Sequence, residues 1–443
     1  MRQIANREEG ARLALLALVA AFAAFVACAG VFTLPPLDRD EARFAQATAQ
    51  MLESGDFVSI RFQEEERNKK PAGIHWLQAA AVASFSDVSA REIWAYRLPS
   101  VAGAILAALF TCVAGTQLFG SRVGLLAALL LASAPGVAAE ATIAKTDAML
   151  LACVAAAQAS LIHIVGAVIE NRRAGAAWPF LFWISIGAGV LIKGPIILMV
   201  CGLTVAALLL QKPRLILIKA LRPVSGFVIL AVMIAPWALA INAATEGRFF
   251  AEAIGGDMLA KIGGAQEHHA GPPGYYAALA FVLFWPSAAL IVAGAQSAVA
   301  MRNDWKFRFL LGWIVPSWIV FELTATKLPH YALPLYPAVA LLAAHAAFQA
   351  ADGPVRWAQK AGAVVYGITG AAIAGLIAVA PRLYGNEPND AASIGVAGLI
   401  AAASVLIASF FWRGRPVKAA RASAVLSAGV AWTLLAGVLP GLD

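Results

Sequence analysis

Apolar residues recur along this chain in long runs separated by short polar breaks, from Leu13 to the C-terminus. The runs lie near 13–32, 98–118, 123–139, 147–168, 178–192, 195–210, 224–243, 274–300, 308–323, 331–350, 361–380, 391–411 and 422–440. Most approach the roughly 20 residues a helix needs to cross a bilayer, so the pattern predicts about 13 transmembrane helices. In lipid each backbone polar group must be satisfied within its own segment, which makes the expected fold an all-α polytopic membrane protein. The tightest stretch is 174–212, where two crossings must fit between two basic loops. Either both helices are short or one is re-entrant.

Composition agrees with this pattern and excludes a soluble enzyme. Of 443 residues, 61% are hydrophobic and 13% charged, against about 25% charged in soluble domains. The whole chain, 1–443, is therefore expected to form one transmembrane domain, with no soluble C-terminal domain after the last run. The first run follows Arg2, Arg7 and Arg12. It is longer than the apolar core of a typical signal peptide and is expected to stay as an anchor. Cys28, Cys112, Cys153 and Cys201 all fall within apolar runs, with no CxxC pair, and are expected to be packing residues.

The formal net charge of +8 would suggest a nucleic-acid partner in a soluble protein. With the N-terminus inside, however, 19 of the 33 Lys and Arg residues fall in cytoplasmic loops, as the positive-inside rule requires. No nucleic-acid partner is expected. The other basic residues lie outside, most of them in a long first loop at 33–97, with a second loop at 244–273.

The first outer loop contains Asp38-Arg39-Asp40-Glu41-Ala42-Arg43-Phe44. Ala42, Phe44, Ala45, Ala49 and Leu52 give it the apolar face of a helix too short to span, which should lie in the membrane interface. Asp40 falls in its first turn or at its cap, a place where an aspartate often serves only to end a helix. Glu41 could serve the same end. A second interfacial helix is expected after Lys69-Lys70-Pro71, with Ile74, Leu77, Ala81 and Phe85 as its apolar face. Lys69 and Lys70 then meet the membrane at phosphate depth, as snorkelling side chains or as phosphate ligands. Lys145 and Asp147, Lys193, and Lys327 with His330 and Tyr331 also fall close to the outer membrane face. Charge at such depth tends to be paired or functional. In the second loop, His268 and His269 are adjacent. Neighbouring side chains diverge, so substrate or phosphate binding by His269 competes with metal ligation.

In these motifs the chain resembles the GT-C membrane glycosyltransferases, in particular the branch holding the bacterial aminoarabinose transferases and the protein O-mannosyltransferases. Asp40-Glu41-Ala42-Arg43-Phe44-Ala45 is similar to that family's D-E-x-R-[YF]-A, and Lys70-Pro71 with Trp76 to its E-K-P…W. Arg97-Leu98-Pro99-Ser100, and Lys327-Leu328-Pro329 with Tyr331 and Pro334, follow in order. The resemblance implies a GT-C fold, with a multi-pass protein of the bacterial inner membrane and an active site on the periplasmic side. It implies transfer of a sugar from a polyprenyl phosphate carrier to a lipid or envelope glycan acceptor, with membrane lipids as surroundings. Asp40 matches the family's essential aspartate, Lys70 its phosphate-binding lysine, and Asp147 its second outward acid.

The pattern departs from the family where a glutamate often precedes Lys-Pro and helps to hold a divalent cation. Lys69 stands there instead. A second lysine would supply the cation's charge, so no cofactor is assigned and the metal ligands stay unassigned. On this reading Asp40 is the catalytic base. Lys70, Lys69, Arg43 and Lys327 bind the donor phosphate, and Glu41, Asp147, His269, His330, Tyr331 and Lys193 line the substrate. A flippase or carrier that moves a polyprenyl-linked sugar without chemistry is the alternative. It would place its charged sites near the middle of the membrane. A structural subunit is a further one.

Overall fold

The computed structural model describes residues 2–37, 39–210, 214–259, 271–351, 357–384 and 390–441. It is helical almost throughout, and every apolar run becomes helix. In chain order the helices are α1 (Arg2–Ala27), α2 (Arg39–Ser54), α3 (Gly73–Phe85), α4 (Ile93–Phe119), α5 (Ser121–Ala132), α6 (Pro135–Ala141) and α7 (Asp147–Ile169). Next come α8 (Ala177–Lys193), α9 (Ile196–Leu209), α10 (Arg214–Ala220), α11 (Pro223–Ala244), α12 (Tyr275–Leu283), α13 (Ala288–Ala300) and α14 (Trp305–Leu323). The last four are α15 (Tyr336–Ala351), α16 (Trp357–Tyr384), α17 (Asp390–Trp412) and α18 (Pro416–Trp432).

Among the described residues, eight helices are long and apolar enough to cross a bilayer, or ten if two bent pairs each count as one span. The expected thirteen crossings are therefore not all carried by spanning-length helices, since α8, α9 and α14 fall outside that set. The pair α8 and α9, of 17 and 14 residues, fills the tight stretch as two short helices joined at Gly194, which takes φ 72°. The two bends have a common cause. Pro135 follows the 62° break between α5 and α6, and Pro286 lies in the 92° break before α13. Proline cannot donate to the helix ladder and clashes with the preceding turn.

The bundle is built around α7, 83% of whose span is buried inside the protein. Small residues let backbones approach, which is how helices gain contact when lipid is as apolar as the interface. At Gly103 of α4 a Cβ would stand 2.6 Å from the Ala148 carbonyl carbon of α7. Outward positions are apolar as well, with Leu239, Leu323 and Leu399 at 71%, 77% and 72% exposure. Exposure of such residues marks the lipid-facing surface.

Both helices expected in the first outer loop form, but their faces differ from expectation. On α2 the buried face centres on Phe44, Ala47, Thr48 and Met51. On α3, Leu77 and Phe85 point outward, at 39% and 67% exposure, while His75 and Gln78 are buried with Ile74 and Val82. The face with hydrogen-bonding groups turns inward, where partners exist, and the apolar one outward. Between α2 and α3 lies a small antiparallel hairpin, β1 (Arg61–Phe62) and β2 (Glu65–Glu66), paired Arg61 to Glu66 and Phe62 to Glu65.

Candidate functional site

The site grows from the first turn of α2, whose consecutive acids Asp40 and Glu41 point to different environments. Asp40 is half exposed. Its Oδ1 lies 3.5 Å from Arg43 Nη1, one turn along the helix, and 3.6 Å from Arg67 Nη2, which arrives from the end of the hairpin. The Arg67 guanidinium also rests 5.2 Å over the Phe44 ring. Arg43 stands 6.0 Å over Phe62 of β1. Two guanidiniums on aromatic supports thus flank one side of the carboxylate.

The segment that brings Arg67 to this place, and that continues into Lys69 and Lys70, is fastened at several points. The Gln50 side chain pairs with the Gln63 backbone in both directions, at 2.8 Å each, which fixes a residue with φ 59° at the hairpin turn. Trp76 and Trp237 donate their indole N–H groups to the Phe57 and Val58 carbonyls at 2.8 and 3.1 Å. Arg248 reaches Glu66 at 3.1 Å. Lys69 is exposed, and Lys70 is half-buried just ahead of α3. Close behind, Gly73 lets α3 settle on α8, since a Cβ there would lie 2.6 Å from the Leu191 carbonyl oxygen.

Glu41 and Arg97 are both fully buried and bind each other through Nε to Oε1 at 2.8 Å and Nη2 to Oε2 at 3.1 Å. Arg97 Nη1 also donates to the Val31 and Leu34 carbonyls at 3.0 and 2.8 Å, and Nη2 to Pro35 at 2.9 Å. These five contacts match the five N–H donors of a guanidinium. Glu41 accepts in turn from the Leu37 and Ala144 backbone N–H groups at 3.1 and 2.9 Å. The expectation that Glu41 touches substrate gives way here, because its oxygens are already saturated by the protein. It ties together the end of the first span, α2, α4 and the loop before α7.

That loop leads to a second charged group. Asp147, in the first turn of α7, accepts a hydrogen bond from Lys193, in the last turn of α8. Each charge sits where the helix dipole favours it. His330 bridges Asp147 at 3.8 Å and Glu140 at 3.5 Å, while Lys145 lies 3.9 Å from Glu140. Tyr331 offers its ring to Lys193 at 5.6 Å, and Lys327 donates to the Thr324 carbonyl at 2.9 Å. Glu140, Lys145, Asp147, Lys193 and Lys327 are all buried. The two acids offset Lys145 and Lys193 inside the protein, which lowers the penalty of an isolated buried charge, while Lys327 rests on a carbonyl.

Behind α2, a chain of hydrogen bonds links α2 and α3 to the loop before α7. The Thr48 hydroxyl donates to Gln78 Oε1 at 2.7 Å and lies 2.7 Å from His75 Nδ1. Its single proton is used on Gln78, so the imidazole must donate from Nδ1. Gln78 donates to the Ala144 carbonyl at 3.1 Å. Burial, followed by the nearby Arg67 charge, pushes the His75 pKa down to about 3 and holds the ring neutral.

The structure therefore brings Asp40 and Arg43 together, and separately Asp147, Lys193, His330 and Tyr331. His269 lies outside the described residues. Glu140 and Arg67 join the two groups although the sequence reading assigned them no role. The signal for Glu140 was an acid directly after the apolar run 123–139, and for Arg67 a basic residue two positions before Lys69. Residues near Lys70 do not fit the divalent cation of the family pattern. The position that would supply a carboxylate is the exposed Lys69, and among the described residues no group of three or more His, Cys, Asp or Glu could hold a metal ion.

The family model for dolichyl-phosphate-mannose-protein mannosyltransferase matches residues 12–248, just over half of the chain. An undecaprenyl phosphate-alpha-4-amino-4-deoxy-L-arabinose arabinosyl transferase of Pseudomonas aeruginosa is 29% identical over 334 residues. That alignment covers 72% of this chain and 58% of the relative, so the chain spans less than two thirds of that relative's length. The crystal structure of ArnT from Cupriavidus metallidurans bound to undecaprenyl phosphate matches with a TM-score of 0.78 at 20% identity, over 97% of this chain and 77% of that one. An apo oligosaccharyltransferase from Archaeoglobus fulgidus matches with a TM-score of 0.60 at 14% identity, over 95% of this chain and 56% of that one. Both likenesses establish the GT-C fold.

Proposed function

The chain belongs to the dolichyl-phosphate-mannose-protein mannosyltransferase family, and from that membership we propose that it is an inverting glycosyltransferase. It takes a sugar from a polyprenyl phosphate and transfers it to a lipid or envelope glycan acceptor on the periplasmic side of the inner membrane. The observation that carries this reading is the carboxylate of Asp40, half exposed in the first turn of α2 between two guanidiniums, while its neighbour Glu41 is sealed inside.

In the proposed reaction the acceptor hydroxyl gives its proton to Asp40 as its oxygen attacks the anomeric carbon. The bond from that carbon to the phosphate oxygen breaks, and its electron pair leaves with the phosphate. The leaving group is already an anion, so it needs positive charge rather than a proton. Lys70 supplies that charge, with Lys69 and Lys327 in support. Arg43 and Arg67 hold the Asp40 carboxylate in line, since both lie within 3.6 Å of it. Asp147, Lys193, His330 and Tyr331 form the wall that orients the sugar, and Glu41 fastens α2 to α4 through Arg97. No step runs through a metal ion.

The test uses the purified full chain in liposomes with an undecaprenyl-phosphate-linked sugar and an envelope glycolipid acceptor. Asp40→Asn and Lys70→Ala variants that insert normally should lose transfer by roughly 100-fold or more. Near-normal turnover in both variants would overturn the assignment. Movement of the donor across the bilayer without a new glycosidic bond would point to a carrier instead.

A further inference from the structure

Helices α16 and α17 lean on each other at the end of the bundle away from the site. The chain direction fixes that placement, because α15 starts at Tyr336, just past His330, and runs away from it to Ala351. Helix α16 then begins, and α17 finishes, at that far end. Between them opens a groove of about 350 Å³ whose walls include Ala363, Gly367, Ile368, Val405, Ala408 and Trp412. Ile368 and Val405 are each 66% exposed, so the groove opens outward on the lipid-facing surface.

Its mouth is basic and aromatic. Trp412, 48% exposed, closes the end of the groove, and the Lys360 ammonium stands 5.3 Å over its ring. Arg413 and Arg415 follow, both exposed. Lys418 lies 4.6 Å over Phe410. From Trp357 to Tyr384, and from Ala391 to Trp432, there is no Asp or Glu, and the one acid of these helices, Asp390, stands at the other end of α17 from Trp412. Tryptophan and basic residues at helix ends mark the headgroup level of a bilayer. An apolar slot leading to such a cluster has the form of a site for a lipid with a tail and an anionic head.

We infer that this groove holds an anionic phospholipid, with an acyl chain along Ala363, Gly367 and Ala408 and its phosphodiester at Lys360 and Arg413. A zwitterionic lipid would bring its own ammonium toward Lys360 and Arg413, which disfavours it. The site is independent of the sugar chemistry at the opposite end.

Native mass spectrometry of the purified full chain, given equal amounts of phosphatidylglycerol and phosphatidylethanolamine, tests this. The intact protein should retain phosphatidylglycerol over phosphatidylethanolamine by about ten-fold or more. The Lys360→Glu, Arg413→Glu double variant should bring the two lipids to parity. Gly367→Leu should reduce retention of both. At Gly367 a Cβ would lie 3.7 Å from the Ala408 Cβ, an ordinary contact, so the first carbon of the new side chain is accommodated at the groove wall. Far-ultraviolet circular dichroism checks that both variants keep their helix content. Inorganic phosphate in place of lipid should not bind, because it lacks the tail. Equal retention of both lipids by the unaltered protein, or an unchanged preference in the charge-reversed variant, overturns the inference.

Discussion

Asp40 and Glu41 are neighbours on one turn of one helix, both acidic and both facing arginines, yet they occupy opposite situations. Glu41 is fully buried, with each oxygen taken by short bonds from Arg97 and two backbone amides. Asp40 remains half exposed, held at 3.5 and 3.6 Å by Arg43 and Arg67. A carboxylate whose lone pairs are saturated by the protein has none left for a proton in transit. One that stays half exposed can still meet an incoming hydroxyl. On the proposed function, the difference separates an acid that builds the site from an acid that works in it.

The largest effect that should sharpen this contrast is on the structural side. Arg97→Ala would leave Glu41 charged and buried, and breaking such a pair costs about 3 to 5 kcal/mol. Thermal unfolding in detergent should show that loss, together with poor yield of inserted protein. A variant of normal stability would mean that the pair is not what fastens α2 to α4.

On the working side, Lys70→Ala should reduce transfer by about 100- to 1000-fold, the range expected for loss of one charge-stabilising group, while the unfolding midpoint stays put. Single-turnover rates with saturating donor separate that from weaker donor binding.

The Thr48, His75 and Gln78 chain behind α2 adds a pH test. His75 is neutral in the fold, with its pKa pushed down to about 3 from 6.5. Its contribution is therefore complete above about pH 6.5. It is lost progressively as pH falls toward 3, because only the unfolded chain takes up the proton, at about 1.4 kcal/mol per pH unit. Unfolding midpoints between pH 7 and 5 should fall more steeply for the unaltered protein than for His75→Gln. Parallel curves would remove His75 from the account.

At the small end lies the exposed Arg91–Glu53 pair on the same loop. Such pairs contribute about 1 kcal/mol or less, so Arg91→Ala should leave both transfer and stability nearly unchanged. A large loss there would show that loop charge in general, rather than the two acids, governs the site.

Much of this was legible in the sequence, for definite reasons. Every apolar run formed helix because hydrophobic length is what a bilayer demands. Asp40 fell in the first turn of α2, as its place ahead of Phe44 and Ala45 implied. The role of Glu41 was not legible, since its partner Arg97 lies 56 residues on and no local pattern links them. The buried face of α3 was misjudged for a physical reason. Hydrophobicity separates inside from outside in water, but in lipid both surfaces are apolar, and His75 and Gln78 turned inward for their hydrogen bonds. The runs 123–139 and 274–300 each read as one helix, and the bends beside Pro135 and Pro286 appear only in the fold. Glu140 meets His330, nearly two hundred residues away along the chain, a contact no local pattern announces.

The most direct test compares Asp40→Asn with Glu41→Gln in the same liposomes, reading transfer rate and unfolding midpoint for each. Asp40→Asn should keep the midpoint and lose transfer by at least about 100-fold, whereas Glu41→Gln should lower the midpoint and lose activity only in proportion to the protein that remains folded. Equal transfer by Asp40→Asn and the unaltered protein would contradict the assignment of Asp40 as the base.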